Sequence, residues 1–482
     1  MDDRTPSGTM DMGAMVGDII PELVLVVGGV IVLLYALAAP RRLQGGAAVL
    51  ALLTVAVAMA ATIPMLDGQE SYTFAETYAR DLVAIWAKLI VLVATAAVIA
   101  LSLPWFRSDH RSGEYYTLLL FSSLGAVLLA GATDLKQFIV SMLLSSATGF
   151  VLVAYHRASR ASAEAGIKYY LLGALTSASM LIGVAYLFGL AGSTTLPGLR
   201  AGLAGSSGPG LAIAVALVIV AVAFKLGAVP AHAWMPDVAE GAPAPVAAFV
   251  TSLPKVGAFV FLARLVLVLP ADGVGWRPLV AVIAAATMTL GNLAALWQDD
   301  VRRMLGWSSV SQTGYGLLAV VAVGRSDLAV PSLLYFLIAY VLANVAAFGV
   351  VVQLRGRTDR LAYRGLARAR PVLAAILTIT LLSFIGVPPL AGFPAKLSLF
   401  AASIEAGYSW LAVLGAVNTV VSIAYYVRVI GPMYFDDLPG PVPVLSRTAG
   451  LAVVVTGTVV VLAGIGAEPF FRAFDGIQLL PR

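Results

Sequence analysis

The chain has 482 residues, of which 60% are hydrophobic and 11% charged, with a mean hydropathy of +0.95. That composition excludes both a soluble globular domain and a disordered chain, and leaves a polytopic membrane protein. The formal charge of +5 reports topology, because the arginines fall mostly in loops flanking apolar runs, and it does not indicate a nucleic-acid partner. With no cysteine, disulfides, thiolate-held iron–sulfur clusters and cysteine zinc sites are excluded. The histidines at 110, 156 and 232 are too scattered to suggest a metal or haem site.

The N-terminal residues MDDRTPSGTMDMGAMVGD lack the basic region and small-residue cleavage site of a signal peptide and read as a retained tail. A span needs about 20 apolar residues, and about fourteen are expected, over roughly 18–39, 46–66, 81–103, 114–131, 134–155, 167–192, 210–231, 243–270, 277–297, 303–323, 330–352, 371–403, 409–434 and 448–467. Alternating ten-residue strands are absent, which argues against a barrel. The loops after odd-numbered spans carry sixteen Lys and Arg residues, whereas the other loops and the tails carry eight. By the positive-inside rule the first set faces the cytoplasm and both termini lie outside.

The six remaining basic residues, Lys88, Lys225, Lys255, Arg264, Lys396 and Arg428, fall within spans. Three of the lysines sit beside helix breakers. Gly227 and Pro230 follow Lys225, Pro254 precedes Lys255, and Pro388, Pro389, Gly392 and Pro394 precede Lys396. An ammonium at bilayer depth costs roughly 3 kcal/mol on translocon scales, so such a residue marks a protein-lined or watery interior. Proline leaves a backbone carbonyl free for side chains or water. Spans seven and twelve are therefore expected to be broken.

Grouping spans four to eight and nine to thirteen places Lys225 and Lys396 each in the fourth helix of a unit, with Lys255 and Arg428 in the fifth. Five is odd, so the two units are expected to be inverted repeats. The fold class is then an all-α polytopic membrane protein. Residues 1–113 hold the tail and three peripheral helices, 114–270 and 271–434 the two repeats, and 435–482 helix fourteen and a tail. Lysine suits proton relay because its protonation responds to burial and to nearby charge, which arginine's does not. Arg428 is accordingly read as a fixed charge tuning Lys396, or as a helix-end residue reaching for the interface. His232 could bridge water to a lysine, or be a hydrogen-bonded loop residue. Asp237 and Glu240 are expected in a polar turn, and Lys88 and Arg264 as helix-end or lipid-facing anchors.

The segments FKLGAVPAHAWMPDVAEGAPAPVAAF, SLPKVGAF, DDVRRMLGWSSVSQTGYGLL and GVPPLAGFPAK, in that order, resemble the antiporter-like membrane subunits of respiratory complex I. The resemblance covers about residues 114 to 434. It implies that Lys225, Lys255 and Lys396 match that family's hydrophilic axis, carrying protons outward across a bacterial inner membrane. It also implies that NADH, FMN, iron–sulfur clusters and quinone belong to other subunits. Expected partners are lipids, a neighbouring antiporter-like subunit and small subunits near helices 5–6. Two departures stand out: Leu143 occupies the place of the family's usual span-five glutamate, and Gln312 that of a histidine found in some relatives. A carboxylate from an adjoining subunit is then expected to serve Lys225. A multi-subunit sodium/proton antiporter and a non-pumping structural bridge are the alternatives.

Overall fold

The structure is a computed structural model that describes all residues except 1–11, 41–42, 108, 110, 271–273, 356, 439, 441, 443–445 and 481–482. Most of the N-terminal tail, Arg41, Arg42 and His110 thus lie outside the described residues. Among the described residues, twelve helices are long and apolar enough to cross a membrane, and the only sheet is a two-stranded hairpin, β1 (Ser71–Thr73) with β2 (Tyr78–Arg80). The protein is an all-α polytopic membrane protein.

A short α1 (Met12–Gly17) leads into α2 (Ile20–Ala38), α3 (Gly46–Thr62) and α4 (Leu82–Trp105), with the hairpin between α3 and α4. Asp81 caps α4 through the Ala84 amide at 2.8 Å. There follow α5 (Ser112–Ala130), α6 (Leu135–Val153), α7 (Arg160–Ala191), a short α8 (Leu196–Gly202) and α9 (Pro209–Leu226).

The chain breaks after α9. Gly227 takes a left-handed φ of 71°, a conformation open to glycine because it has no Cβ, and a Cβ there would also meet the Met235 methyl at 2.2 Å. The span resumes as α10 (Trp234–Gly241), followed by α11 (Ala244–Val250) and α12 (Leu253–Val268). Next come α13 (Trp276–Ala295), α14 (Val301–Ala322), α15 (Ala329–Gln353) and the one-turn α16 (Leu366–Ala369). α17 (Pro371–Ile385) ends on Gly386 at φ 93°, and α18 (Gly392–Glu405) resumes after a second break. α19 (Ser409–Phe435), α20 (Arg447–Ile465) and α21 (Ala467–Ala473) complete the chain.

Two expectations change here. Asp237 and Glu240 do not lie in a turn; they belong to α10, the second half of a broken helix. The eighth expected span, 243–270, is interrupted as well, because Thr251 and Ser252 separate α11 from α12. Helices differ sharply in how much of their apolar surface the protein itself covers. The α11–α12 segment is 100% buried across its apolar window and α15 is 94% buried, whereas α2, α7 and α20 are 33% buried. The first two form the centre and the last three present most of their surface outward. α14 is less apolar than the other spans yet almost wholly buried, because its polar residues Ser308, Ser309, Ser311, Gln312 and Thr313 are turned onto neighbouring helices.

Candidate functional site

The three lysines beside helix breakers are enclosed by the chain itself: Lys225 and Lys255 are 1% exposed and Lys396 is 4% exposed. Among the described residues none of them forms an ion pair. Each is instead held by hydroxyls and backbone carbonyls, which compensate an ammonium less strongly than a carboxylate does.

Lys225, on the last turn of α9, donates to the Ser146 hydroxyl of α6 at 3.0 Å. Lys255, at the start of α12, uses all three of its protons on α14, reaching the Ser309 carbonyl at 2.8 Å, the Ser309 hydroxyl at 2.7 Å and the Thr313 hydroxyl at 2.8 Å. Its ammonium also lies 5.3 Å from the centre of the Tyr340 ring. Lys396, on α18, donates to the Ile385 carbonyl freed at the end of α17 (3.2 Å) and to Thr419 on α19 (3.4 Å), and sits 4.0 Å from the Tyr315 ring centre.

α14 joins these positions. The Thr313 hydroxyl reaches the Leu226 carbonyl at 2.7 Å, next to Lys225, while the adjacent Gln312 amide reaches the Phe384 carbonyl at 3.0 Å, next to the second break. Breaking each helix freed those carbonyls, and two consecutive side chains of one helix take up both. Thr313 thus joins the Lys255 ammonium to the backbone carbonyl that follows Lys225, while the Lys225 ammonium itself is held by Ser146. Beside Lys396 lies a cavity of about 10 Å³ lined by Gln312, Tyr340, Ser383 and Lys396 among others, enough for about one water. Tyr340 of that lining has its hydroxyl 2.7 Å from the Ser309 hydroxyl, which in turn holds Lys255. Beyond Lys396, Thr419 lies 3.0 Å from the Tyr315 hydroxyl.

Lys225 and Lys396 both adjoin a helix break but on opposite sides of its left-handed glycine, Lys225 preceding Gly227 and Lys396 following Gly386. Three expectations for the site are revised. Arg428 is directed to the protein rim, where it pairs with Asp299 at 3.2 Å and bonds the Leu296 carbonyl at the end of α13. Leu143 is 44% exposed on the outer side of α6, while Ser146 of the same helix takes the place beside Lys225. Finally, Lys88 and Arg264 are not lipid-facing anchors. Lys88 is 1% exposed and pairs with Glu22 at 2.8 Å; Arg264 is fully buried and makes two bonds to Asp81, at 2.5 and 2.7 Å.

His232 lies in the first break, its ring centre 5.7 Å from that of Trp307, and is not placed against a lysine by any hydrogen bond. Asp237 and Glu240 bind Arg303 at 2.6 Å each, and Asp237 also binds Lys168 at 3.0 Å. Reading the residues missed the contributions of Ser146, Ser309, Thr313 and Tyr340. The signal available was the SSVSQT run inside an otherwise span-length segment.

The fold and the site define a class: a multi-pass helical membrane protein whose broken helices converge on buried lysines. Residues 132–422 match the family described as NADH:quinone oxidoreductase/Mrp antiporter, TM. A protein of Streptomyces griseus named NADH-quinone oxidoreductase subunit N 1 is 43% identical over 93% of this chain and 95% of its own length. One chain of respiratory complex I from Thermus thermophilus, solved with bound aureothin, superposes with a TM-score of 0.82 at 30% identity, covering 95% of this chain and 100% of that one. A chain of the Mrp complex from Dietzia sp. DQ12-45-1b shares the fold, with a TM-score of 0.84 at 22% identity over 96% of each chain. The chain belongs to the NADH:quinone oxidoreductase/Mrp antiporter family, within its subunit N branch of antiporter-like membrane subunits.

Proposed function

We propose that this chain is a proton-translocating membrane-arm subunit of an NADH:quinone oxidoreductase, moving protons from the cytoplasm outward along Lys225, Lys255 and Lys396 while quinone is reduced in other subunits. NADH, FMN, iron–sulfur and quinone sites are assigned to those subunits, and the contacts of this one to a neighbouring antiporter-like subunit, small subunits near α6 and α7, and lipid. The observation that carries the reading is the bridging of both helix breaks by Gln312 and Thr313. Protonation of Lys255 changes what the Thr313 hydroxyl can accept, and so bears directly on the end of α9 at Lys225. Sixteen basic residues in one set of loops against eight elsewhere support the orientation. Subunit N relatives at 41% to 43% identity, against 22% for the Mrp chain, favour quinone oxidoreductase over sodium/proton antiport.

The test is Lys225→Ala and Lys396→Ala in the assembled complex in membrane vesicles. Assembly is retained, while acidification and coupled quinone reduction fall together. Unchanged pumping in either fully assembled variant overturns the axis.

A further inference from the structure

A second buried cluster of titratable groups lies away from the three-lysine axis, among α2, α4 and the hairpin. Glu22, in the first turn of α2, and Lys88, on α4, are 3% and 1% exposed and form an ion pair at 2.8 Å. Tyr78 of the hairpin, 3% exposed, donates its hydroxyl to the Glu22 Oε1, and its ring lies 5.3 Å from the Lys88 ammonium. Burial, and then the Glu22 carboxylate beside it, hold the Tyr78 phenol well above its ordinary range, so it stays a donor.

The neighbouring ion pair shows what a purely structural pair looks like here. Arg264 bonds both Asp81 oxygens and the carbonyls of Ala130 and Leu480, and Asp81 also accepts the Ala84 and Leu480 amides. Every oxygen of that carboxylate is used. In contrast, Glu22 Oε2 is buried and has no hydrogen-bond partner among the described residues. A buried, unsaturated carboxylate is costly unless its free oxygen serves a proton or water.

Further polar groups flank the cluster. Asp18, in the turn between α1 and α2 and four residues before Glu22, pairs with Arg80 at 3.0 Å. Arg80 in turn pairs at 2.7 Å with Asp67, whose side chain is 35% exposed. Toward Lys225, separate buried hydroxyl contacts lie on α4, α5 and α6. Thr95, two turns from Lys88, meets Ser123 at 2.9 Å; Ser122 reaches the Ser145 carbonyl at 3.3 Å; Ser146 holds Lys225. The Ser145 hydroxyl is buried and without a partner among the described residues.

We propose that Glu22, Lys88 and Tyr78 form a protonatable site on the outer half of the chain, which exchanges protons between the interior at Lys225 and the outer surface at Asp18 and Asp67. The proposal rests on the proton-translocation reading above. One proton passes from the Lys88 ammonium to the Glu22 carboxylate oxygen it contacts at 2.8 Å, breaking an N–H bond and forming an O–H bond, so the ion pair becomes a neutral amine and a neutral acid. Release toward Asp18 and reloading of Lys88 from the interior complete a turnover.

The experiment compares Glu22→Gln, Lys88→Met and the double variant with Lys225→Ala, all in the assembled complex in vesicles, reading acidification per NADH oxidised. Acidification drops in both single variants and stays down in the double, where no charge is left stranded. Restoration in the double, as a merely structural pair requires, overturns the proposal. Normal pumping by Lys225→Ala means that the underlying axis has failed; loss in Lys225→Ala with wild-type pumping in the double means that only this site has failed. Tyr78→Phe keeps the ring and the ion pair and guards against assembly defects. It displaces the pH profile of pumping, and an unmoved profile also overturns the proposal.

Discussion

Replacing Thr313 with valine tests the bridge on which the proposed axis depends. Valine keeps the shape of threonine and removes only the hydroxyl, which accepts from Lys255 at 2.8 Å and reaches the Leu226 carbonyl at 2.7 Å. Lys255 then retains two of its three partners, both from Ser309, and the Leu226 carbonyl loses its contact with α14. A hydrogen bond to a charged group contributes about 1.5–3 kcal/mol. If the proton transfer step needs the protonated Lys255 held against Thr313, that loss slows it roughly 10- to 140-fold, since every 1.4 kcal/mol is a factor of ten. Single-turnover acidification in vesicles, normalised to the amount of assembled complex, reads the step directly. Thr313→Ser, which keeps the hydroxyl, serves as the control and stays near wild type. Wild-type acidification by Thr313→Val refutes the argument, because the link between Lys255 and the carbonyl that follows Lys225 would then carry no part of the transfer.

Two further expectations concern stability. Arg264→Met strands the fully buried Asp81 carboxylate, and breaking such a pair costs roughly 3–5 kcal/mol. The detergent-solubilised complex should lose this subunit or melt markedly earlier, while Arg264→Met with Asp81→Asn recovers most of the loss; a single variant as stable as wild type refutes the clamp. His156, outside the spans and stacked on Trp105 with ring centres 6.4 Å apart, is held below its ordinary value of 6.5 chiefly by burial. A histidine with a depressed folded value binds fewer protons folded than unfolded, so its contribution is fully favourable above pH 6.5 and is lost as pH falls below that. His156→Phe should flatten the melting temperature of the complex between pH 7 and 5, and an unchanged slope rules out this residue as the source.

How much could be read from residues alone depended on how local the cause was. Composition settled the membrane class, since 60% hydrophobic residues in span-length runs leave no other folded state. The two principal breaks were legible because Gly227 and Gly386, each followed by proline, act on their own backbone within a few residues. The burial of Lys225, Lys255 and Lys396 followed from their depth within apolar sequence. Partners were another matter. Thr313 meets a carbonyl 87 residues away, Gln312 one 72 residues away, and Arg264 a carboxylate 183 residues away. In helices apolar on nearly every face, the periodicity that would show which side turns inward is erased. Packing alone sets the rotation of each helix. That rotation put Ser146 rather than Leu143 beside Lys225, turned Arg428 to the rim, and drew Lys88 inward to Glu22.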